Sequence, residues 1–295
     1  MINKKILYTS LLAIFATAII GCDSDDDDDP VFKDMTLSVE GLPQLGSFAT
    51  YEGWLLDGND YTSIGKFTID NSGDVDGGTF SIDEELLQNA TDFVVTIEPS
   101  PDPAVQPTET QILSGTFIGN SATLNYENEA AIGTGFSTAI GKYILSTPTN
   151  GEETDELSGV WWLEPTGPSA SLILPDLSEG WIYEGWALIN GTPVSTGKFT
   201  KANEADMGNP YSGTLAGPDF PGEDFLRNAP AGLSFPTSLE GATIVISVEP
   251  NPDNDSAPFV IKPLSGEVPE QAAPGVLYNM TNNDNSINIS GEATR

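Results

Sequence analysis

Carboxylates are the only side chains in this sequence with both the number and the spacing to do chemistry. There are 44 acidic residues, ten basic residues and no histidine. The missing histidine removes the usual general base, the Ser–His and Cys–His pairs, and every His-containing zinc site. A single cysteine, Cys22, excludes a disulfide within the chain and any thiolate cluster. Carboxylate-only hydrolysis remains, and it needs two acids about 5–10 Å apart across one cleft. The candidates are Glu52 in "YEGWLL" with Glu184 in "YEGWAL", and Glu98 with Glu249, each followed by proline. Both pairs occupy equivalent places in a repeat, which suits duplication better than an acid/base pair, so no enzymatic activity is expected.

The candidate cation site is "DNSGDVDGG", in which Asp70, Ser72, Asp74 and Asp76 alternate as oxygen donors. An EF-hand-like calcium loop wants glycine at its sixth position and a distal glutamate, and Val75 stands sixth here. A Gly/Asp/Asn hairpin turn competes with the metal reading. Ca2+ at Asp70, Asp74 and Asp76 is therefore the one cofactor weighed, and otherwise none is expected.

In "YEGWLL" alternate residues share a face, which groups Glu52, Trp54 and Leu56, and in the second copy Glu184, Trp186 and Leu188. Each tryptophan is expected as a core anchor contributing roughly 2–3 kcal/mol. Each glutamate then sits at the rim of an apolar face and needs a partner. Lys66 and Lys198, which recur in "GKFT", are the expected ion-pair partners from the neighbouring strand. Glycine between Glu and Trp implies that something packs closely on the strand.

The elements that must position these residues come in two copies. "YEGW" and "GKFT" recur 132 residues apart, "EELLQNA" and "EDFLRNA" 139 apart, and "VVTIEPSPD" with "VISVEPNPD" and "LSGTF" with "LSGEV" 151 apart. Five blocks in one order indicate internal duplication. The growing offset places insertions in the second copy at "MGNPYSGTLAGPDFPG" and "PAGLSFPTSLEG", whose Gly and Pro content predicts loops. Within a copy, short aromatic and β-branched runs bounded by turn formers predict strands, and "EELLQNA" predicts one short helix. The expected fold is all-β: two tandem antiparallel β-sandwiches with Ig-like character and short helical crossovers. The expected boundaries are 34–150 and 158–295, with the junction in "TNGEETDE" and the ownership of 158–165 open.

The first thirty residues predict an address. Lys4 and Lys5 precede an apolar stretch from Ile6 to Ile20, too short for a comfortable membrane span and suited to a secretory signal. Ending at Gly21-Cys22, the segment resembles a bacterial lipoprotein signal, with residues 1–21 removed and Cys22 lipidated. Ile19 replaces the usual leucine, and Ile20 stands where a small residue is commoner. Residues 22–33 then form an anchored tether whose run Asp25, Asp26, Asp27, Asp28 and Asp29 stays extended by self-repulsion. Directly after the cysteine, that run resembles the acidic export signal of Bacteroidetes-type surface lipoproteins. The resemblance implies an outer-membrane, surface-exposed protein, with the periplasmic face as the alternative.

A further resemblance rests on "TIEPSPDPAVQPTETQILSG", a strand ending in Glu-Pro, a polar loop with Pro-Thr, and an apolar residue shortly before glycine. Together with the Trp-centred strand before it, this is similar to the RskA-like extracytoplasmic domain of anti-sigma-K factors. The second copy keeps Glu249-Pro250 and Leu264-Ser265-Gly266 but has Ala-Pro for Pro-Thr. The resemblance implies a sensor-type β-domain used twice, without direct sigma-factor binding. A formal net charge of −34 repels phosphate backbones, which excludes nucleic acid. The expected partners are the membrane, through the anchor, and an unidentified protein or glycan.

Overall fold

The computed structural model describes residues 30–102, 104–151, 153–253 and 255–295. Cys22 and Asp25–Asp29, with the signal and most of the tether, lie outside the described residues. Among those described, no helix is long and apolar enough to cross a membrane.

The chain is all-β and antiparallel. Its first half forms β1 (Phe32–Glu40), β2 (Ala49–Asp57), β3 (Asp60–Phe67), β4 (Thr79–Asp83), α1 (Glu84–Asn89), β5 (Asp92–Pro99), β6 (Gln111–Thr116), β7 (Ser121–Asn125) and β8 (Ile140–Leu145). The second half forms β9 (Gly159–Trp161), β10 (Leu163–Glu164), β11 (Ser169–Ala170), β12 (Leu172–Ile173), β13 (Trp181–Ile189) and β14 (Thr192–Phe199). It continues through β15 (Gly222–Asp224), β16 (Thr243–Pro250), β17 (Leu264–Glu267), β18 (Tyr278–Asn279), β19 (Thr281–Asn282) and β20 (Ser290–Thr294). Strand β1 shows why the pattern folds this way: Met35, Leu37 and Val39 are buried while their neighbours face out, the period-2 signature of a half-buried strand.

The first sheet runs β3-β2-β5-β6-β7-β20-β1-β4, and its end strands come together so that it nearly closes. The second unit repeats the order in shorter pieces: β14-β13-β16-β17-β19 forms one sheet, β18 pairs with β8, and β8 pairs with β12 and with β9, which carries β15. Matching the two shows that the last strand of each copy sits in the other unit. Strand β20 fills the slot between β7 and β1, pairing Ser290–Thr294 with Ser121–Asn125 on one side and Thr36–Glu40 on the other. Strand β8 fills the equivalent slot of the second unit. The boundaries 34–150 and 158–295 describe the repeat along the chain but not the folded units, because the sequence copies exchange their final strands. The apolar core is correspondingly continuous, running from Leu37, Phe93 and Ala293 to Ile246 and Leu264.

Two local expectations change. Strand β1 begins at Phe32, inside the stretch expected as tether. The helix expected from "EELLQNA" forms as α1, where the Asp83 carboxylate accepts the Glu85 N–H at 2.8 Å. Its counterpart "EDFLRNA" opens on strand β15 instead. Gly222 precedes it without a capping side chain, and Glu223 and Asp224 are both fully buried as hydrogen-bond acceptors.

Candidate functional site

Each letter of Tyr-Glu-Gly-Trp has the same task in both units. Tyr51 stacks on Phe67 at 5.5 Å and donates to the Pro43 carbonyl at 2.9 Å; Tyr183 stacks on Phe199 at 5.7 Å and donates to that of Pro175 at 2.7 Å. A Cβ on Gly53 would lie 2.7–2.9 Å from Ile64 and Phe93, and one on Gly185 2.5 Å from Trp162, so close packing requires glycine. The tryptophans are buried, but on the face opposite the main apolar cluster. The Trp54 indole N–H donates to Thr96 Oγ1 at 2.9 Å, and Thr96 donates to Glu98, which also takes the Thr108 N–H at 2.9 Å. Likewise Trp186 donates to Ser247 Oγ at 2.8 Å, Ser247 to Glu249, and Glu249 accepts the Phe259 N–H at 2.9 Å. The expected apolar anchors are thus buried donors that start an indole–hydroxyl–carboxylate chain pinning the loop after each Glu-Pro.

The glutamates of the motif are not at a rim. Glu52 and Glu184 are buried, and each accepts a hydrogen bond from the serine on the neighbouring strand, Ser63 or Ser195. Lys66 lies opposite Glu52 and Lys198 opposite Glu184 in register, yet the ion pairs are long, 3.9 and 3.8 Å. Each lysine approaches an aspartate of the following loop more closely, Asp102 at 3.0 Å and Asp253 at 3.1 Å. Burial holds the carboxyls of Glu184 and Glu249 above their usual range, Glu249 at about 7.

The candidate calcium loop is a hairpin turn. Asp70 accepts the Ser72 and Asp74 N–H groups at 2.7 and 3.1 Å, and Ile69 bridges Val75. Asp70, Asp74 and Asp76 do not converge: no group of three or more acidic, Cys or His residues is placed to hold a metal among the described residues. The Asp70 carboxylate holds the turn through backbone N–H groups, as the hairpin reading of this stretch has it.

The feature that differs most between the copies is the segment from Thr200 to Pro221, between β14 and β15, which has neither helix nor strand and is longer than its first-copy counterpart, the turn at 68–78 between β3 and β4. Unstructured segments of this length in a compact unit are uncommon unless functional. This one is built. Tyr211 packs against Phe235 at 5.4 Å and Phe225 at 6.0 Å, Ser212 donates to buried Glu223, and Gly213 N–H donates to Thr149 Oγ1 at 2.7 Å. Asp206 accepts the N–H groups of Gly222 at 2.9 Å and Gly208 at 3.2 Å. Beneath it the Trp161 indole N–H donates to Asp224 at 2.7 Å, which turns the rest of that ring toward the segment.

The segment and β9 together enclose a cleft of about 290 Å3 lined by Trp161, Asp206, Met207, Asn209, Asp219 and Phe220. Burial raises the Asp206 carboxyl to about 6 and that of Glu223, deeper in, to about 7. A second cleft, about 280 Å3 beside Trp181, meets only the first two residues of that segment, Thr200 and Lys201. The sequence predicts only loop for the insertion and points to neither Asp206 nor Trp161. The jump in repeat offset from 132 to 139 across this stretch was the available signal.

No protein-family model, curated protein or solved structure matches this chain.

Proposed function

We propose that this chain is a non-enzymatic, lipid-anchored surface protein that binds an external ligand at the cleft over Trp161. The carrying observation is the ordered Thr200–Pro221 segment, lengthened in the second copy only and held by hydrogen bonds to buried Glu223 and Thr149 to form that cleft. Long loops on a rigid β scaffold are where binding residues concentrate. The duplicated carboxylates support a non-catalytic reading, because Glu52, Glu98, Glu184 and Glu249 are buried and hydrogen-bonded to internal hydroxyls. The cleft holds no histidine, cysteine, lysine or arginine with which a carboxylate could share acid–base work.

Anchoring and display rest on the sequence, through the signal-like residues 1–21, Cys22 and the Asp25–Asp29 run. Protease shaving of intact cells tests this. Digestion of the wild type but not of an Asp25–Asp29→Ala variant supports surface display. Protection of both overturns it and favours a periplasmic accessory of an envelope signalling system.

A further inference from the structure

The chemistry of the cleft walls narrows the ligand. Three properties act together. Its lining includes two carboxylates, Asp206 and Asp219, and no basic side chain. Among the described residues Asp206 has no ion-pair partner, although six pairs form elsewhere. On a chain of net charge −34, such a concavity concentrates cations.

The apolar part sets the shape of that cation. A Cβ on Gly222 would lie 2.5 Å from Trp161 Cδ2 and Cε3, so backbone covers that face of the indole. A Cβ on Gly217 would lie 2.7 Å from Cη2, so the far corner of the ring is closely packed as well. The ring is 3% exposed and offers no open face on which a guanidinium or a sugar ring could stack. Met207, 68% exposed, and half-buried Phe220 supply flexible apolar walls suited to a methylene chain. A bare divalent ion fits poorly, since calcium wants six to eight oxygens and only two carboxylates line the cleft.

Resting on the proposal that this cleft is the ligand site, we infer that it takes an alkylammonium group, the side chain of a lysine in a partner polypeptide, with its ammonium at Asp206 and Asp219 and its methylenes against Met207 and Phe220. The carboxyl of Asp206, raised by burial without a neighbouring cation, is the group such a ligand would stabilise in its charged form.

The test is amide NMR on the full chain, following Gly208 and Gly222, whose N–H groups donate to Asp206. The probes are Nα-acetyl-lysine methylamide, the uncharged Nα-acetyl-norleucine methylamide, methylammonium and cellobiose. The expected result is a saturable shift of both amides with the lysine probe alone. It should weaken roughly fivefold in Asp219→Asn and in 0.5 M salt, as for a partly exposed ion pair. Asp219 and Met207 are exposed, so Asp219→Asn and Met207→Ala leave the fold intact and keep the test decisive if Asp206→Asn does not fold. Equal shifts with norleucine methylamide, or binding of cellobiose, overturn the cation assignment while leaving the cleft as a ligand site. Equal binding of methylammonium overturns the polypeptide source. Silence from every probe removes both readings.

Discussion

Ala293→Asp should unfold the first unit although residue 293 belongs to the second sequence copy. Ala293 is fully buried on β20, opposite Leu37 of β1 and Ala122 of β7. A carboxyl there has no water and no cationic partner, so at pH 7 it neutralises. Taking an aspartate from its ordinary value near 4 to neutral at pH 7 costs about 4 kcal/mol at roughly 1.4 kcal/mol per pH unit. The extra heavy atoms in a close-packed site add about 1–3 kcal/mol. The total, about 5–7 kcal/mol, matches the whole stability of a typical domain. Hydrogen exchange resolved by peptide is the assay: segments 32–40 and 121–125 should lose protection before 181–189 and 243–250. Glu292→Lys, on the exposed side of the same strand, should change stability by less than about 0.5 kcal/mol. Loss confined to 181–189 and 243–250, or a cost below about 1 kcal/mol, would refute the strand exchange.

Stability should fall as pH rises from 4.5 toward 7, the reverse of ordinary acid denaturation. Glu249 binds its proton more tightly folded, at about 7, than unfolded, near 4.5, so the folded state holds the extra proton across that window. The cost at pH 7 is roughly 3 kcal/mol, and a thermal melt series should show it, with Glu249→Gln flattening the slope. Lys198→Met should destabilise more than Lys66→Met, because Lys198 is 27% exposed against 40% and leaves its carboxylates drier; denaturant midpoints would rank them. Gly180→Ala should cost more than about 1 kcal/mol, since φ is +82° and the new Cβ would meet the Glu109 carbonyl at 2.2 Å, measurable by chemical denaturation.

The strands were legible wherever an apolar period ran against turn formers, as in β2, β5, β13 and β16, and the direct pairing of Glu52 with Lys66 follows from that reading. The partner of β20 was not legible. "SGEAT" buries one residue, and nothing in its composition says which of two near-identical slots it fills; that choice is made by the tertiary register with β1 and β7. The tryptophans were read by size alone, which hid their N–H. The signal lay in "TIEP" and "SVEP", where a hydroxyl and a glutamate two apart share a strand face, as an indole–hydroxyl–carboxylate chain needs. The "EDFLRNA" error came from matching residues without their caps, since Asp83 has no equivalent before Glu223.

The exchanged strands also determine how the molecule carries load. A pull applied at residue 30 enters β1 at Phe32, and a pull from the cleft enters through the Thr200–Pro221 segment of the other unit. Between these points the two units are linked by both exchanged strands. Separation has to slide β20 along both β1 and β7, and β8 along β9, β12 and β18, so many backbone bonds share the force at once. For a body held at one end and tugged at the other, crossed strands act as a splice in a rope.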